Sequence, residues 1–177
     1  GRDTDIHEAR DQLEAFAEAG GTLVDTAAAY GNGQAERVLG DLLDKVIPRA
    51  DLVVATKAGV SRATGQRLVD VSRKALLDQL DASLDRLDTD YVDLWQIHTW
   101  SDAVPPDETL GTLDYAVSTG RARYAGVSNY GGWQTGYAVA HQNSASGRTP
   151  VVSTQMEYSL LQRGVEREVL PAAEALG

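Results

Sequence analysis

The stretch Thr22-Leu-Val-Asp25-Thr-Ala-Ala-Ala-Tyr30-Gly31 sets the pattern from which the fold is predicted. Its short apolar run, Leu23-Val24, is typical of a buried strand that ends at Asp25. The loop that follows presents a tyrosine and turns at Gly31-Asn32-Gly33, and a helix is expected to begin near Gln34. An acid and a phenol thus follow the carboxyl end of a strand, the edge at which alternating β/α sheets bind ligands.

Three later apolar runs also end in polar side chains, at Val53–Lys57, Leu94–His98 and Ala125–Asn129. Strand, loop and helix alternate roughly every 30 to 40 residues, which predicts a parallel sheet with right-handed crossovers. The pattern predicts five strands and six helices. An open doubly wound sheet could hold five strands, whereas a closed eight-stranded barrel needs roughly 200 residues or more.

Apolar spacing and end signals predict the bounds of the elements. The helices are expected from the cap Asp5 to Gly20, Gln34 to Lys45, Ser72 to Leu87, Pro105 to Gly120, Trp133 to His141 and Glu166 to Leu176. The strands after the first are expected at 53–57, 91–98, 124–128 and 151–156. The polar segment from Ala58 to Val69 is interpreted as a mobile loop at the ligand edge.

The composition is that of one globular domain of 177 residues, with 42% hydrophobic and 24% charged side chains. The net charge of -10 argues against nucleic-acid and membrane-surface partners, since both need a basic face. The absence of cysteine excludes disulfides and thiolate metal sites and is compatible with a reducing cytoplasm. No signal segment is evident, and no apolar run approaches the ~20 residues of a membrane span.

Asp25, Tyr30, Lys57 and His98 form the predicted catalytic constellation. A tyrosine with an ordinary pKa near ~10 is a poor acid or base at neutral pH, but a lysine cation beside its oxygen favours the phenolate. A carboxylate can hold the lysine charged, and a histidine opposite can position a carbonyl oxygen. The group predicts a proton relay to the oxygen of a carbonyl or alcohol. Because it lacks a carbon nucleophile and a metal, a hydride-carrying cofactor would fit it.

Each of these residues has a structural alternative when taken alone. Asp25 could cap a helix, Tyr30 could be a half-buried packing residue, and His98 could be a hydrogen-bonded core histidine. Lys57 is harder to explain in this way, because a lysine at a strand end faces the mouth of the sheet. Their occurrence at one edge of three strands favours the functional interpretation.

A second polar group consists of Ser128-Asn129 and Gln155. Hydroxyl and amide groups suit a carboxamide, which both donates and accepts hydrogen bonds, although Ser and Asn also start turns. The tryptophans are expected to be core or rim residues, namely Trp95, Trp100 and Trp133, although Trp100, just after His98, could line a substrate pocket.

Gly31-Asn32-Gly33 resembles the start of a dinucleotide-binding fingerprint. Glu36 stands where its third glycine would be, and the ribose-binding acid is missing about twenty residues later. A Rossmann site is therefore rejected.

Five motifs along the chain form a wider pattern. They are Asp25–Gly31 with Ala35-Glu36 and Leu39-Gly40, then Ala55–Lys57, Asp93–His98, Gly126–Asn129 and Gln155–Leu160. Their order and spacing resemble the aldo-keto reductase family over nearly the whole chain. The segment 155–160, with Arg163 after it, is most similar to the bacterial and potassium-channel β-subunit branches.

The resemblance implies a (β/α)8 barrel that reduces aldehydes and ketones with NADPH, or less often NADH. It assigns Tyr30 as the proton donor, Lys57 and Asp25 as its activating pair, and His98 as the residue that orients the carbonyl. The residues that it assigns to cofactor binding are Asp25, Ser128, Asn129 and Gln155.

In the family, one strand precedes the first helix and two more strands follow the last. Residues 1–177 are therefore expected to form a single partial barrel domain with strands two to six and helices one to six. The leading function is a cytoplasmic carbonyl reductase that acts on a small molecule. The alternatives are a cofactor-binding regulatory or redox-sensing subunit with slow turnover, and an inactive barrel fragment.

Overall fold

The computed structural model describes residues 5–177. It contains six α-helices: α1 Ile6–Glu18, α2 Gln34–Leu42, α3 Arg73–Leu87, α4 Pro106–Ser118, α5 Gly132–Asn143 and α6 Val165–Leu176. The strands are β1 Leu23–Asp25, β2 Val53–Ala58, β3 Val60–Ser61, β4 Leu68–Val69, β5 Val92–Ile97, β6 Ala122–Ser128 and β7 Val151–Gln155.

The main sheet has five parallel strands in the order β1-β2-β5-β6-β7. Each strand therefore pairs with the strand of this sheet that precedes it in the chain, and the order never reverses. A doubly wound sheet reverses its strand order once, so the alternative of an open doubly wound fold is wrong. Successive parallel pairing in one direction is the arrangement of a barrel wall, and the predicted partial parallel barrel is confirmed.

The buried core lies mainly between the sheet and the helices that cover it. On α3, Ser72 caps the helix by accepting a hydrogen bond from the Ala75 N–H, and the predicted stripe Leu76, Leu80, Leu84 and Leu87 is buried. Helical spacing of apolar residues thus located the inner face of this helix correctly, because burying that stripe is what holds a helix against the sheet.

The segment predicted as a polar loop, Ala58 to Val69, is instead a strand end followed by a small antiparallel hairpin. Val60 of β3 pairs with Val69 of β4, and Gly65 lies in the turn with φ of 81°. Strands of two residues are too short to show alternation, so the sequence pattern could not indicate them.

The predicted end of the second helix at Lys45 is also wrong, because the helix ends at Leu42. Leu43 leaves helical dihedrals, and Asp44 has φ of 59° with its carboxylate accepting the Arg49 N–H at 2.7 Å. A turn closed by a side chain thus replaces the last helical residues.

Within residues 5–177, none of the helices has the length and apolar character needed to cross a membrane.

Candidate active site

Lys57 lies at the centre of a polar cluster at the carboxyl edge of the sheet. It is on β2, and only 1% of its surface is exposed. Its ammonium Nζ donates to the Asp25 Oδ2 oxygen at 2.6 Å and to the Thr26 carbonyl at 3.0 Å. The third contact, at 3.4 Å, joins Nζ to the Tyr30 hydroxyl oxygen. The structure thus brings the acid, the cation and the phenol into one contact group.

The loop between β1 and α2 is held along the end of β2. Its Thr26 N–H donates to the Ala55 carbonyl at 2.9 Å, and its Ala28 N–H donates to the Lys57 carbonyl at 3.2 Å. Tyr30 then opens a 3-10 turn over Tyr30–Gly33 in which Gly31, Asn32 and Gly33 all have positive φ. These backbone angles favour Gly and Asn, and the turn leaves the Tyr30 side chain 42% exposed at the mouth.

His98 follows β5 and faces Tyr30. Its N–H donates to the Ala58 carbonyl at 2.8 Å, and its ring meets the Tyr30 ring edge-on at a centroid distance of 5.9 Å. Burial, and after it the positive charges of Lys57 and Arg67, which disfavour a further cation, lower the pKa of His98 to about 4. The imidazole is therefore neutral at physiological pH and can donate or accept a hydrogen bond without carrying charge.

Ser128, Asn129 and Gln155 lie at the ends of β6 and β7. The Asn129 side-chain amide donates to the His98 carbonyl at 2.9 Å and to the Ser128 hydroxyl at 3.1 Å. The Gln155 amide donates to Asp25 Oδ2 at 3.2 Å. Since Gln155 is on the last strand and Asp25 on the first, this contact shows that the sheet curls around the cluster.

A family model described as "Aldo/keto reductase family" matches residues 2–177. The chain belongs to the aldo/keto reductase family. The family resemblance expected from the motifs is thereby confirmed.

Relatives of this aldo/keto reductase chain include both expected branches. Aldo-keto reductase YhdN of Bacillus subtilis is 31% identical over 171 residues, which cover 97% of this chain and 50% of that protein. A probable voltage-gated potassium channel subunit beta of Oryza sativa subsp. japonica is 35% identical over 179 residues, which cover 100% of this chain and 54% of that protein. The chain spans about half the length of the curated relatives it matches.

Among solved structures, aldo-keto reductase AKR11C1 from Bacillus halodurans, in its holo form, superimposes with a TM-score of 0.84 at 30% sequence identity. The match covers 97% of this chain and 55% of that one. The five strands and six helices therefore correspond to part of an aldo-keto reductase barrel.

In this aldo/keto reductase chain, Trp100 belongs to an aromatic cluster beside the cluster around Lys57. Its ring meets the rings of Tyr130 and Trp133 edge-on, each at 5.2 Å, and its indole N–H donates to Asp102 at 2.7 Å. Trp95 is fully buried, as expected for a core residue, whereas Trp133 is exposed. Trp100 lies two residues after His98, and its assignment to a substrate pocket stays a prediction.

Two features of the aldo/keto reductase site were missed from the sequence. The first is the Thr26 carbonyl, which no side-chain pattern could indicate. The second is Glu36, which was placed in a family motif and at the missing third glycine of a fingerprint but was given no role, yet its carboxylate is completely buried. A signal was present, because Glu36 falls three residues before Leu39, on the inward stripe of α2.

Proposed function

We propose that this chain carries the catalytic residues of an oxidoreductase that reduces aldehydes or ketones to alcohols with NADPH, or NADH, as the hydride source. The observation that carries the proposal is the contact of the buried Lys57 ammonium with both the Asp25 carboxylate and the Tyr30 hydroxyl. An acidic group held by a cation at the mouth of a parallel sheet is suited to protonate an oxygen that becomes negative.

Tyr30 donates the proton to the carbonyl oxygen of the substrate in this proposal. Lys57 stabilises the phenolate that remains, and Asp25 keeps the lysine charged and oriented. His98, neutral because burial lowers its pKa to about 4, donates a hydrogen bond to the same oxygen and fixes its position. Tyr130 is a poor alternative donor, because it is 1% exposed and burial raises its pKa.

The donor set at the ends of β6 and β7 fits a nicotinamide carboxamide. The Asn129 and Gln155 amide nitrogens are already engaged, whereas their oxygens accept no hydrogen bond within residues 5–177. These oxygens can accept from the carboxamide NH₂, and the Ser128 hydroxyl can donate to its carbonyl. When bound, the reduced nicotinamide supplies the hydride; this chain supplies the proton and the orientation.

The remaining parts of the proposal follow from the composition and the family. Residues 1–177 act as one partial barrel domain, the partner is a small carbonyl compound and the location is the cytoplasm. A net charge of -10 is unfavourable for binding nucleic acid or an anionic membrane surface.

A second candidate is a regulatory or redox-sensing subunit that binds the cofactor and turns over slowly. The 35% identity to a probable potassium channel subunit beta favours keeping it. Both candidates can hold the same four residues, so the rate of turnover distinguishes them.

The test measures steady-state oxidation of NADPH and NADH by the full-length protein with a simple aromatic aldehyde. Tyr30→Phe keeps the ring and removes the proton, so kcat should fall by about 10²- to 10⁴-fold while cofactor affinity stays the same. Tyr124→Phe, at an exposed tyrosine of β6, is the matched control and should retain full activity. Wild-type turnover by Tyr30→Phe would assign the proton to another group, and very slow turnover by the wild type would favour the regulatory candidate.

A further inference from the structure

Glu36, Thr56 and Arg86 form a buried polar network behind the cluster around Lys57. Glu36 is 0% exposed and both of its carboxylate oxygens are bonded. Oε1 accepts from the Thr56 hydroxyl at 2.5 Å, and Oε2 accepts from the Arg86 Nε at 2.7 Å and its terminal nitrogen at 2.6 Å. A second terminal contact joins the guanidinium to the Ser83 hydroxyl at 3.1 Å.

The energetics of this network indicate a role other than stability. Removing a carboxylate and a guanidinium from water costs several kcal/mol per ion, and their attraction seldom exceeds that cost. An apolar trio of similar volume would hold the three elements together about as well. The network adds specificity, because directional hydrogen bonds to one fixed carboxylate allow only one arrangement of α2, β2 and α3, the elements that carry Glu36, Thr56 and Arg86.

Two of the three elements that the network joins, α2 and β2, adjoin the predicted proton donor or carry its lysine, and the third, α3, carries Arg86. Glu36 lies in the first turn of α2, directly after the Tyr30–Gly33 turn. Thr56 is the residue before Lys57 on β2, and its side chain therefore points to the opposite face of the strand. The network thus ties the start of α2 to the strand position next to the lysine.

Arg86 also packs against the Tyr30–Gly33 turn. A Cβ atom added at Gly33 would lie 2.7 Å from the Arg86 Cδ and Nε atoms, so the guanidinium fills the space under the last residue of the turn. Gly33 has φ of 87°. The side chain that pairs with Glu36 therefore also packs against the turn that presents Tyr30.

We propose that Glu36, Thr56 and Arg86 are positioning residues that set the distance between the Tyr30 hydroxyl and the Lys57 ammonium. The contact they govern is the 3.4 Å separation of those two atoms, the longest of the three lysine contacts. Part of the inference rests on the proposed function, because a kinetic effect requires that Tyr30 be the proton donor. The geometric part stands without it.

The test compares three threonine variants of the full-length protein. Thr56→Val keeps the shape and removes the donor to Glu36, and Thr56→Ser keeps the hydroxyl. Thr112→Val is the matched control, because Thr112 is equally buried and donates to the Glu108 carbonyl of α4 at 2.8 Å. A displaced catalytic group can cost up to ~10²-fold in rate, so we expect kcat to fall about tenfold in Thr56→Val with KM for the aldehyde changed less than about twofold. Thr56→Ser and Thr112→Val should keep wild-type kcat.

A second measurement does not depend on turnover. Each protein is labelled with 3-fluorotyrosine, and the fluorine resonance of position 30 is assigned by its loss in Tyr30→Phe. The resonance should shift or broaden in Thr56→Val and stay in place in Thr56→Ser and Thr112→Val. Arg86→Lys, which keeps the charge but loses the planar fork, replaces Thr56→Val if that variant does not fold, and should show the same changes.

The outcomes separate the two proposals. If the wild type reduces no carbonyl, the proposed function fails, and the fluorine resonance alone decides whether the network positions the phenol. If Thr56→Val and Arg86→Lys lower the free energy of unfolding but leave kcat and the resonance unchanged, the network is purely structural and the inference is overturned.

Discussion

Two ion pairs of the same kind join neighbouring strands at opposite ends of the sheet. At the carboxyl end, Lys57 of β2 pairs with Asp25 of β1 at 2.6 Å. At the amino end, Arg49, just before β2, pairs with Asp93 of β5 at 2.7 Å. Both cations are buried, so charge and burial alone do not distinguish a structural pair from a reactive one.

The difference lies in what else each cation contacts. Arg49 donates to the Leu52 and Tyr91 carbonyls and lies over the Tyr91 ring at 4.3 Å. Asp93 also accepts the Val54 N–H at 2.9 Å. The contacts around Arg49 are to carbonyls, a ring face and an amide, none of which exchanges a proton at neutral pH. The Arg49–Asp93 pair therefore stabilises the packing of β2 against β5, as expected for the amino end of a barrel.

Lys57, by contrast, faces groups that can donate or accept a proton. The Tyr30 hydroxyl lies 3.4 Å from its ammonium, and the neutral His98 ring meets the Tyr30 ring edge-on. The comparison teaches that two ion pairs of similar charge and burial differ in the groups beyond them: the cation of one contacts a phenol, as the proposed proton chemistry requires, and the cation of the other contacts backbone carbonyls.

Matched substitutions of the two cations should separate these uses. Lys57→Met removes the charge that favours the phenolate, so kcat should fall by about a hundredfold or more. Arg49→Met leaves the partly buried Asp93 without its cation and should lower the free energy of unfolding by about 1 to 3 kcal/mol, with unchanged kcat per folded molecule. Aldehyde reduction and denaturant unfolding measure the two effects.

Each of these variants serves as the control for the other. Arg49 donates to two backbone carbonyls, those of Leu52 and Tyr91, whereas Lys57 donates to one, that of Thr26. Lys57→Met should therefore unfold at a denaturant concentration closer to that of the wild type than Arg49→Met does. Equal losses of stability with no difference in kcat would show that both pairs only fasten strands.

Substitutions at the ends of β6 and β7 should weaken cofactor binding, and the expected effect is smaller than the loss of kcat in Lys57→Met. Gln155→Ala or Asn129→Ala leaves a carboxamide group without its partner and should cost on the order of 1 to 3 kcal/mol of nicotinamide affinity. Because Asn129 has φ of 54°, Asn129→Gly is the cleaner variant, since glycine tolerates that angle. Fluorescence titration with NADPH measures the affinity, and Asn143→Ala, at the exposed end of α5, is the control. Unchanged affinity in the Gln155 and Asn129 variants would return these residues to a turn-forming role.

The sequence was sufficient for the parts of the fold that have a regular period. The leucine stripe of α3 and the polar residues that follow β1, β2, β5 and β6 were found because helical and strand spacing are local properties of the chain. The convergence of Asp25, Tyr30 and Lys57 then followed from parallel pairing, which places the carboxyl ends of all strands at one edge.

Long-range pairing could not be found in this way. Glu36 is separated from Arg86 by 50 positions and from Thr56 by 20, so no spacing rule links these residues. The hairpin of β3 and β4 escaped because its strands are too short to alternate. It matters to the site, since Arg62 and Arg67, on or beside this hairpin, are among the charges that lower the pKa of His98.

His98 should make the stability of the protein depend on pH. Its pKa is lowered from 6.5 to about 4 in the folded protein, first by burial and then by Lys57. Between these two pH values the unfolded chain binds a proton that the folded chain does not, so stability should fall as the pH drops from 6.5 toward 4 and be fully present above 6.5. His98→Gln removes the titrating group and should flatten this part of the profile, and the His98 ring resonance should titrate with a midpoint near 4. A midpoint close to 6.5 would mean that the ring is open to water, and the proposal of proton chemistry at the carboxyl end of the sheet would then rest on Tyr30 and Lys57 alone.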